Sequence, residues 1–251
     1  MGVFSMILDL SDLTDLRQKV SYGVSPLFEL ATSLYVLAQP ARHEPHAGWV
    51  ANSLQILRKE RLLAEWHYLF PLFQQSVPAL FYPQLTERAM SVDEQYDYLV
   101  NIDTGSFLAS LPSELLQPTL SVPISSLPTD IQSDPEAVKC RLILFLSSYW
   151  QLLFQRKWER LAPRFLQEAE AIEQALGDIE QLTQLLRTIL PVFRDEHCLC
   201  FADKTEPERR RSLHKLTLYP SLFFTHAPQL TACQETLLLL YNCEQRTQPL
   251  G

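Results

Sequence analysis

Seventeen prolines stand against six glycines in this chain, and that ratio limits the fold more than any other feature. Proline fixes φ and lacks a backbone donor, so it opens and closes helices; glycine, the source of flexible turns, is scarce. The expected architecture is a set of helices joined by stiff connectors. Residues 5–10 alternate, with Met6, Leu8 and Leu10 on one side, and read as a strand; residues 12–20 read as a short helix. Ser25-Pro26 is a helix start, a hydroxyl at the N-cap with proline at the first helical position. Leu27, Leu30, Ala31, Leu34, Leu37 and Ala38 then keep the spacing of a buried stripe until Pro40. Residues 46–69 continue in helical period around Trp49, Leu57, Leu62 and Trp66, after which Pro71, Pro78 and Pro83 interrupt the chain. Ser91 and Glu94 fit a capping box that opens a helix to about Val100.

Residues 111–135 hold Pro112, Pro118, Pro123, Pro128 and Pro135 among serines and threonines, and are expected to be a linker or extended loop. Asp134 and Pro135 start the strongest helical pattern, expected to run to about Arg160. Pro163 is expected to start a second helix closed by Gly177, and Asp178 caps a third that lasts until Pro191. The period then becomes alternating, and residues 198–201, 213–219 and 236–243 read as strands. The expected fold class is α+β, predominantly α: a helical body with a small C-terminal antiparallel sheet. The expected organisation is an N-terminal helical part at 1–110, the linker at 111–135, and long helices plus strands at 136–251, forming one compact domain. Hydrophobic residues make up 47% of 251 residues, ample for a core.

Charge and cysteine usage narrow the partners. Twenty-one basic against 29 acidic residues give a net charge of −8, which suits neither phosphate backbones nor anionic membranes. The first ten residues lack a basic start and carry Asp9, so no signal peptide is read there; no apolar run in the sequence approaches the ~18 residues of a membrane span. Five cysteines, an odd number, read as reduced thiols in a cytoplasmic protein. The catalytic templates come up empty: no Gly-rich phosphate loop, no G-x-S-x-G elbow and no H-E-x-x-H. Glu168 and Glu170 read as a solvated helix face, and Arg209-Arg-Arg211, diluted by Glu206 and Glu208, as a solvated turn. His43-Glu-Pro-His46 holds two imidazoles, but Pro45 forbids the regular helix that would align them.

Cys198-Leu-Cys200 is the sharpest constellation. On a strand both thiols face one side and could share a soft metal; the bland reading is cysteine used as a small apolar core residue. With the ligand set incomplete, no metal and no cofactor are expected. The aromatic residues are more suggestive. Trp150, Phe154 and Trp158 recur every four residues, and Trp49 and Trp66 lie on a second helical stretch. Such residues either pack into core or line a pocket between helices. Trp49, Trp66, Tyr149, Trp150 and Trp158 are the residues expected to line a pocket for a small apolar effector.

An ordered string of local patterns carries a resemblance. Ser25-Pro-Leu-Phe-Glu-Leu30, Ser33-Leu34, Leu37, Pro40-Ala-Arg-His43 and His46-Ala-Gly-Trp49 resemble the opening of a group of bacterial ArsR-type regulators, in which a long N-terminal domain of unknown function precedes a winged helix. Asp134-Pro135 with Tyr149-Trp150 and Trp158 resemble that group's central helix. Leu216-Thr-Leu-Tyr-Pro-Ser-Leu-Phe223 and the apolar run 237–241 resemble its strands. The chain stops eight residues past Cys243, at Gly251, so DNA contact is expected only through a winged helix absent from this chain. The resemblance implies an effector-sensing or dimerisation domain of a transcriptional regulator: a homodimer, not an enzyme, with no membrane partner. The alternatives are an enzyme whose site gathers scattered groups such as Asp12, Glu29, His43 and His46, and a structural protein-interaction module.

Overall fold

The structure, a computed structural model, describes residues 6–10, 16–82, 91–116, 126–195, 198–201, 211–225, 227–233 and 235–244. The chain divides into two compact units: Ser25–Arg160, and Met1–Val24 together with Leu161–Gly251.

The Ser25–Arg160 unit is helical. α1 (Pro26–Ala38) begins as the sequence dictates: the Phe28 N–H donates to Ser25 Oγ at 3.2 Å, with Pro26 in the first turn. All thirteen of its residues are buried, so it is the unit's central helix. α2 (Ala47–Lys59) and α3 (Leu63–Leu69) follow. Between them the Arg61 and Leu62 N–H groups donate to the Arg58 and Leu57 carbonyls, and Arg61 takes φ 61°. This is a Schellman closure with arginine where glycine is usual. α4 (Val92–Asn101) carries the full capping box, Ser91 and Glu94 each accepting from the other's backbone N–H. α5 (Thr104–Ala109) is capped by Asp103, and α6 spans Ser113–Leu116. α7 (Leu127–Ser133) and α8 (Pro135–Tyr149) follow, α8 capped by Asp134. α3, α4, α5 and α7 all pack on α8. The Lys139 ammonium, buried on α8, donates to the Ile102 carbonyl at 2.9 Å and to Glu136 at 2.8 Å, so it closes the C-terminus of α4.

Two expectations change here. The Pro- and Ser-rich stretch 111–135 is not extended throughout: it contributes α6 and α7, and Leu127 and Ile131 are buried; residues 117–125 lie outside the described residues. Proline at the start of α7 is compatible with helix because the first-turn N–H needs no partner. The long helix also does not stop near Arg160. After α8 comes a π-turn, Trp150–Phe154, and then α9 (Gln155–Ala175), with Pro163 inside it. One window of this continuous run has the length and mean hydropathy, 1.2, of a candidate membrane span, and 44% of that window is buried. A core helix meets the same test.

The other unit holds all eight described strands. β1 (Met6–Asp9) and β2 (Val20–Tyr22) come from the N-terminus. After α9 and α10 (Ile179–Ile189) come β3 (Val192–Asp195), β4 (Cys198–Phe201), β5 (Arg211–Leu213), β6 (Lys215–Ser221), β7 (Gln229–Cys233) and β8 (Thr236–Asn242). They form two four-stranded sheets, ordered β3-β4-β1-β5 and β2-β6-β8-β7. The expected antiparallel C-terminal sheet is thus corrected to two mixed sheets. β1 runs parallel to β5, and β2 and β8 both run parallel to β6. The N-terminal strands complete both sheets through backbone edges: β1 lies between β4 and β5, and β2 takes the edge of β6 opposite β8. Of residues 12–20, read as a helix, the described 16–20 hold a short turn at Leu16–Gln18 and the start of β2; 11–15 lie outside the described residues. Leu8, Leu199, Phe201, Leu216, Leu237 and Leu239 pack with Ile172, Leu182 and Leu186 in one core.

Candidate functional site

The five aromatic residues singled out from sequence all belong to the helical unit, and the π-turn lies in their midst. On α8, Val138, Leu142, Phe145, Leu146 and Tyr149 keep a buried stripe. At the turn the Gln155 N–H reaches back five residues to the Trp150 carbonyl, which inserts one residue into the helical phase. Leu153 and Phe154 are then both buried.

The rings form a connected series. Trp66 stacks on Phe145 at 5.9 Å and 19°, Phe145 on Tyr149 at 5.9 Å, and Tyr149 on Phe154 at 6.5 Å. Phe154 meets Trp150 at 5.7 Å and the edge of Trp49 at 6.3 Å. Four of the five expected residues are therefore brought together, through Phe145 and Phe154. Trp158 lies one turn beyond Phe154 on α9 and is half-buried.

A polar hub sits inside this apolar set. Tyr149 is fully buried, and its hydroxyl lies 3.1 Å from Ser33 Oγ. Ser33 spends its one proton on the Leu30 carbonyl at 2.7 Å, so the Tyr149 O–H donates to Ser33. Ser53 and the Trp49 indole lie beside the phenolic oxygen, near enough to act on its proton affinity, although the buried Ser53 Oγ makes no hydrogen bond. Burial pushes the Tyr149 hydroxyl far above the usual phenol range, while the neighbouring Ser33, Ser53 and Trp49 side chains pull the other way. Sequence reading missed Ser33 and Ser53. Their signal was present: Ser33 interrupts the apolar stripe of α1, and Ser53 stands between Trp49 and Leu57 at four-residue spacing.

Other expected groups lie elsewhere. His43 is buried with its ring 5.2 Å from Tyr35, and His46 is half-buried, its pKa lowered by burial and then by Lys157. Glu29 is buried in α1, and Asp12 lies outside the described residues. Glu168 is not on a solvated face: it is buried and accepts from the Tyr241 O–H at 2.6 Å. The helix phase turns it inward alongside Phe165 and Ile172. Arg209 and Arg210 fall outside the described residues. Among the described residues no three His, Cys, Asp or Glu side chains gather as metal ligands. Two surface clefts, of about 370 and 250 Å³, are lined by Gln39, Arg42 and Gln74, and by Arg164, Glu168 and Cys243, respectively. Neither is lined by the aromatic five.

The family of unknown function DUF5937 matches residues 4–132. That is more than half of the chain, and the chain belongs to this family. No curated protein and no solved structure matches it.

Proposed function

We propose that this member of DUF5937 is the effector-sensing or dimerisation module of a bacterial transcriptional regulator of the ArsR type, cytoplasmic and homodimeric. It performs no bond-making itself, and DNA contact falls to a winged helix outside residues 1–251. The observation that carries the reading is the π-turn set against the Trp49–Ser33–Ser53–Tyr149 hub. Such turns interrupt long helices at a cost in regular hydrogen bonding and recur at functional positions. A hydroxyl hub within stacked rings offers both apolar surface and directed polar groups, the usual make-up of a small-molecule site.

The mechanism is a population shift. The rings are packed in the free chain, so an apolar effector binds only the arrangement in which Trp49, Trp150 or Trp158 has moved aside. Its differential affinity for that arrangement sets how far the equilibrium moves. Attached DNA-binding domains then respond to the changed helix positions.

The test is a thermal-shift screen of small apolar compounds against the full chain, followed by tryptophan fluorescence. A compound at a hundredfold its Kd adds about 2.7 kcal/mol to stability, and its binding is expected to change the emission of the tryptophans. Trp150→Ala is expected to alter the affinity. A library that leaves both melting and emission unmoved, with the rings equally immobile in solution, overturns the sensor reading. Sedimentation showing a monomer overturns the dimer.

A further inference from the structure

The sheet β3-β4-β1-β5 presents a second face with chemistry of its own. Along β4, Leu199 and Phe201 are buried while Cys198 and Cys200 are half-exposed. Residues two apart on a strand share a face, and the two Sγ atoms lie 3.6 Å apart. The register fixes their neighbours. Asp9 on β1 and Asp195 on β3 stand opposite Cys198, and Ile7 and Phe193 stand opposite Cys200. One thiol is thus flanked by carboxylates, and the other by apolar side chains, of which Phe193 is 55% exposed.

We propose that Cys198 and Cys200 together bind one soft, thiophilic cation of the Cu(I) class as a bis-thiolate on this face. Each thiol passes its proton to solvent as its sulfur bonds the cation, and no electron changes hands. Thiolate donors select soft cations. A two-coordinate ion suits a pair with no third ligand gathered among the described residues, whereas tetrahedral zinc asks for four. Asp9 and Asp195 draw cations toward the pair and repel anionic oxidants.

A disulfide fits the same geometry less well. Two steps along a strand separate Cα atoms by about 6.6 Å, near the ~6.8 Å upper limit for a disulfide. β4 is also hydrogen-bonded on both sides, to β3 and β1, so it cannot pucker without breaking ladder bonds. Burial first, then the adjacent Cys200 thiol and the carboxylates of Asp195 and Asp9, push the Cys198 thiol up to about 11. This proposal stands apart from the aromatic core and does not depend on the sensor reading.

The experiment is a competition titration of the reduced full chain against Cu(I) held by the chromophoric chelator bicinchoninate. One Cu(I) per chain is expected to leave the chelator. Cys198→Ser and Cys200→Ser should each weaken binding by more than about 100-fold, beyond what loss of an outer contact costs, whereas Cys140→Ser leaves it unchanged. X-ray absorption on the loaded, unmutated chain, which does not depend on any variant folding, is expected to show two sulfur neighbours. Unchanged affinity in the Cys198→Ser/Cys200→Ser double variant, or a shell dominated by nitrogen or oxygen, overturns the site.

Discussion

Tyr149 is where single atoms decide most. Its hydroxyl hydrogen bonds Ser33, with Ser53 and Trp49 beside it, inside a core otherwise made of rings and aliphatic chains. A phenylalanine there keeps the ring stack with Phe145 and Phe154 but takes away the donor to the buried Ser33 Oγ. An unsatisfied buried polar group costs about 1–3 kcal/mol. Tyr149→Phe is therefore expected to lower the denaturation midpoint by that order while leaving far-UV circular dichroism intact, and a melt at neutral pH checks it. A variant as stable as the parent would show that the hub holds nothing in place. Capping residues were legible at this scale. Ser25, Ser91, Asp134 and Asp178 each accept the backbone N–H their position predicts, because a cap is a local arrangement of a few residues. Ser33 and Ser53 were not legible, since a serine on an apolar stripe looks the same whether its partner is its own helix carbonyl or a tyrosine 116 residues away.

Proline proved double-edged among the elements. It marks true starts at α1 and α8, yet Pro163 lies inside α9 rather than opening a helix. The difference is not in the dipeptide but in the packing around it: Leu161, Phe165 and Ile172 are buried on a continuous stripe, and that burial offsets the lost bond to the Glu159 carbonyl. Pro163→Ala restores the missing donor. A proline within a helix costs about 3 kcal/mol, and the alanine variant returns up to ~1 kcal/mol of that to the freer unfolded chain. A net gain of about 2 kcal/mol is expected, read from the denaturant midpoint. A loss instead would show that the neighbouring side chains require the kink. The π-turn was invisible for a related reason. One inserted residue leaves the hydrophobic count unchanged and alters only its phase, which the aromatic residues on both sides blur. Strand partners were equally hidden: β1 pairs with β4 and β5 from the opposite end of the chain, and alternation reports a face but not a neighbour.

Across the whole molecule, burial of weak acids gives a shared response to alkali. Desolvation raises the tyrosines at 82, 96 and 149 in the helical unit and at 219 in the other. Tyr68 is pushed up to about 12 by burial and then by its hydrogen bond to Asp130, with Arg141 over its ring opposing. Cys198 is raised to about 11. Each of these groups holds its proton more tightly folded than unfolded. Their contribution to stability is therefore complete below the unfolded values, 9.0 for the thiol and 10.0 for phenols, and is lost as pH rises through the folded ones. Tyr68 and Cys198 are largely open to solvent screening, so the slope from these two is shallow, and the buried phenols steepen it. Denaturant midpoints are expected to hold level up to about pH 9 and to fall continuously between pH 10 and 12, while tyrosinate absorbance in the native state lags that of the unfolded chain across the same window. A midpoint indifferent to pH over that range would mean that these hydroxyls reach water in solution. That result would dissolve the packed aromatic core on which both the polar hub and the effector reading stand.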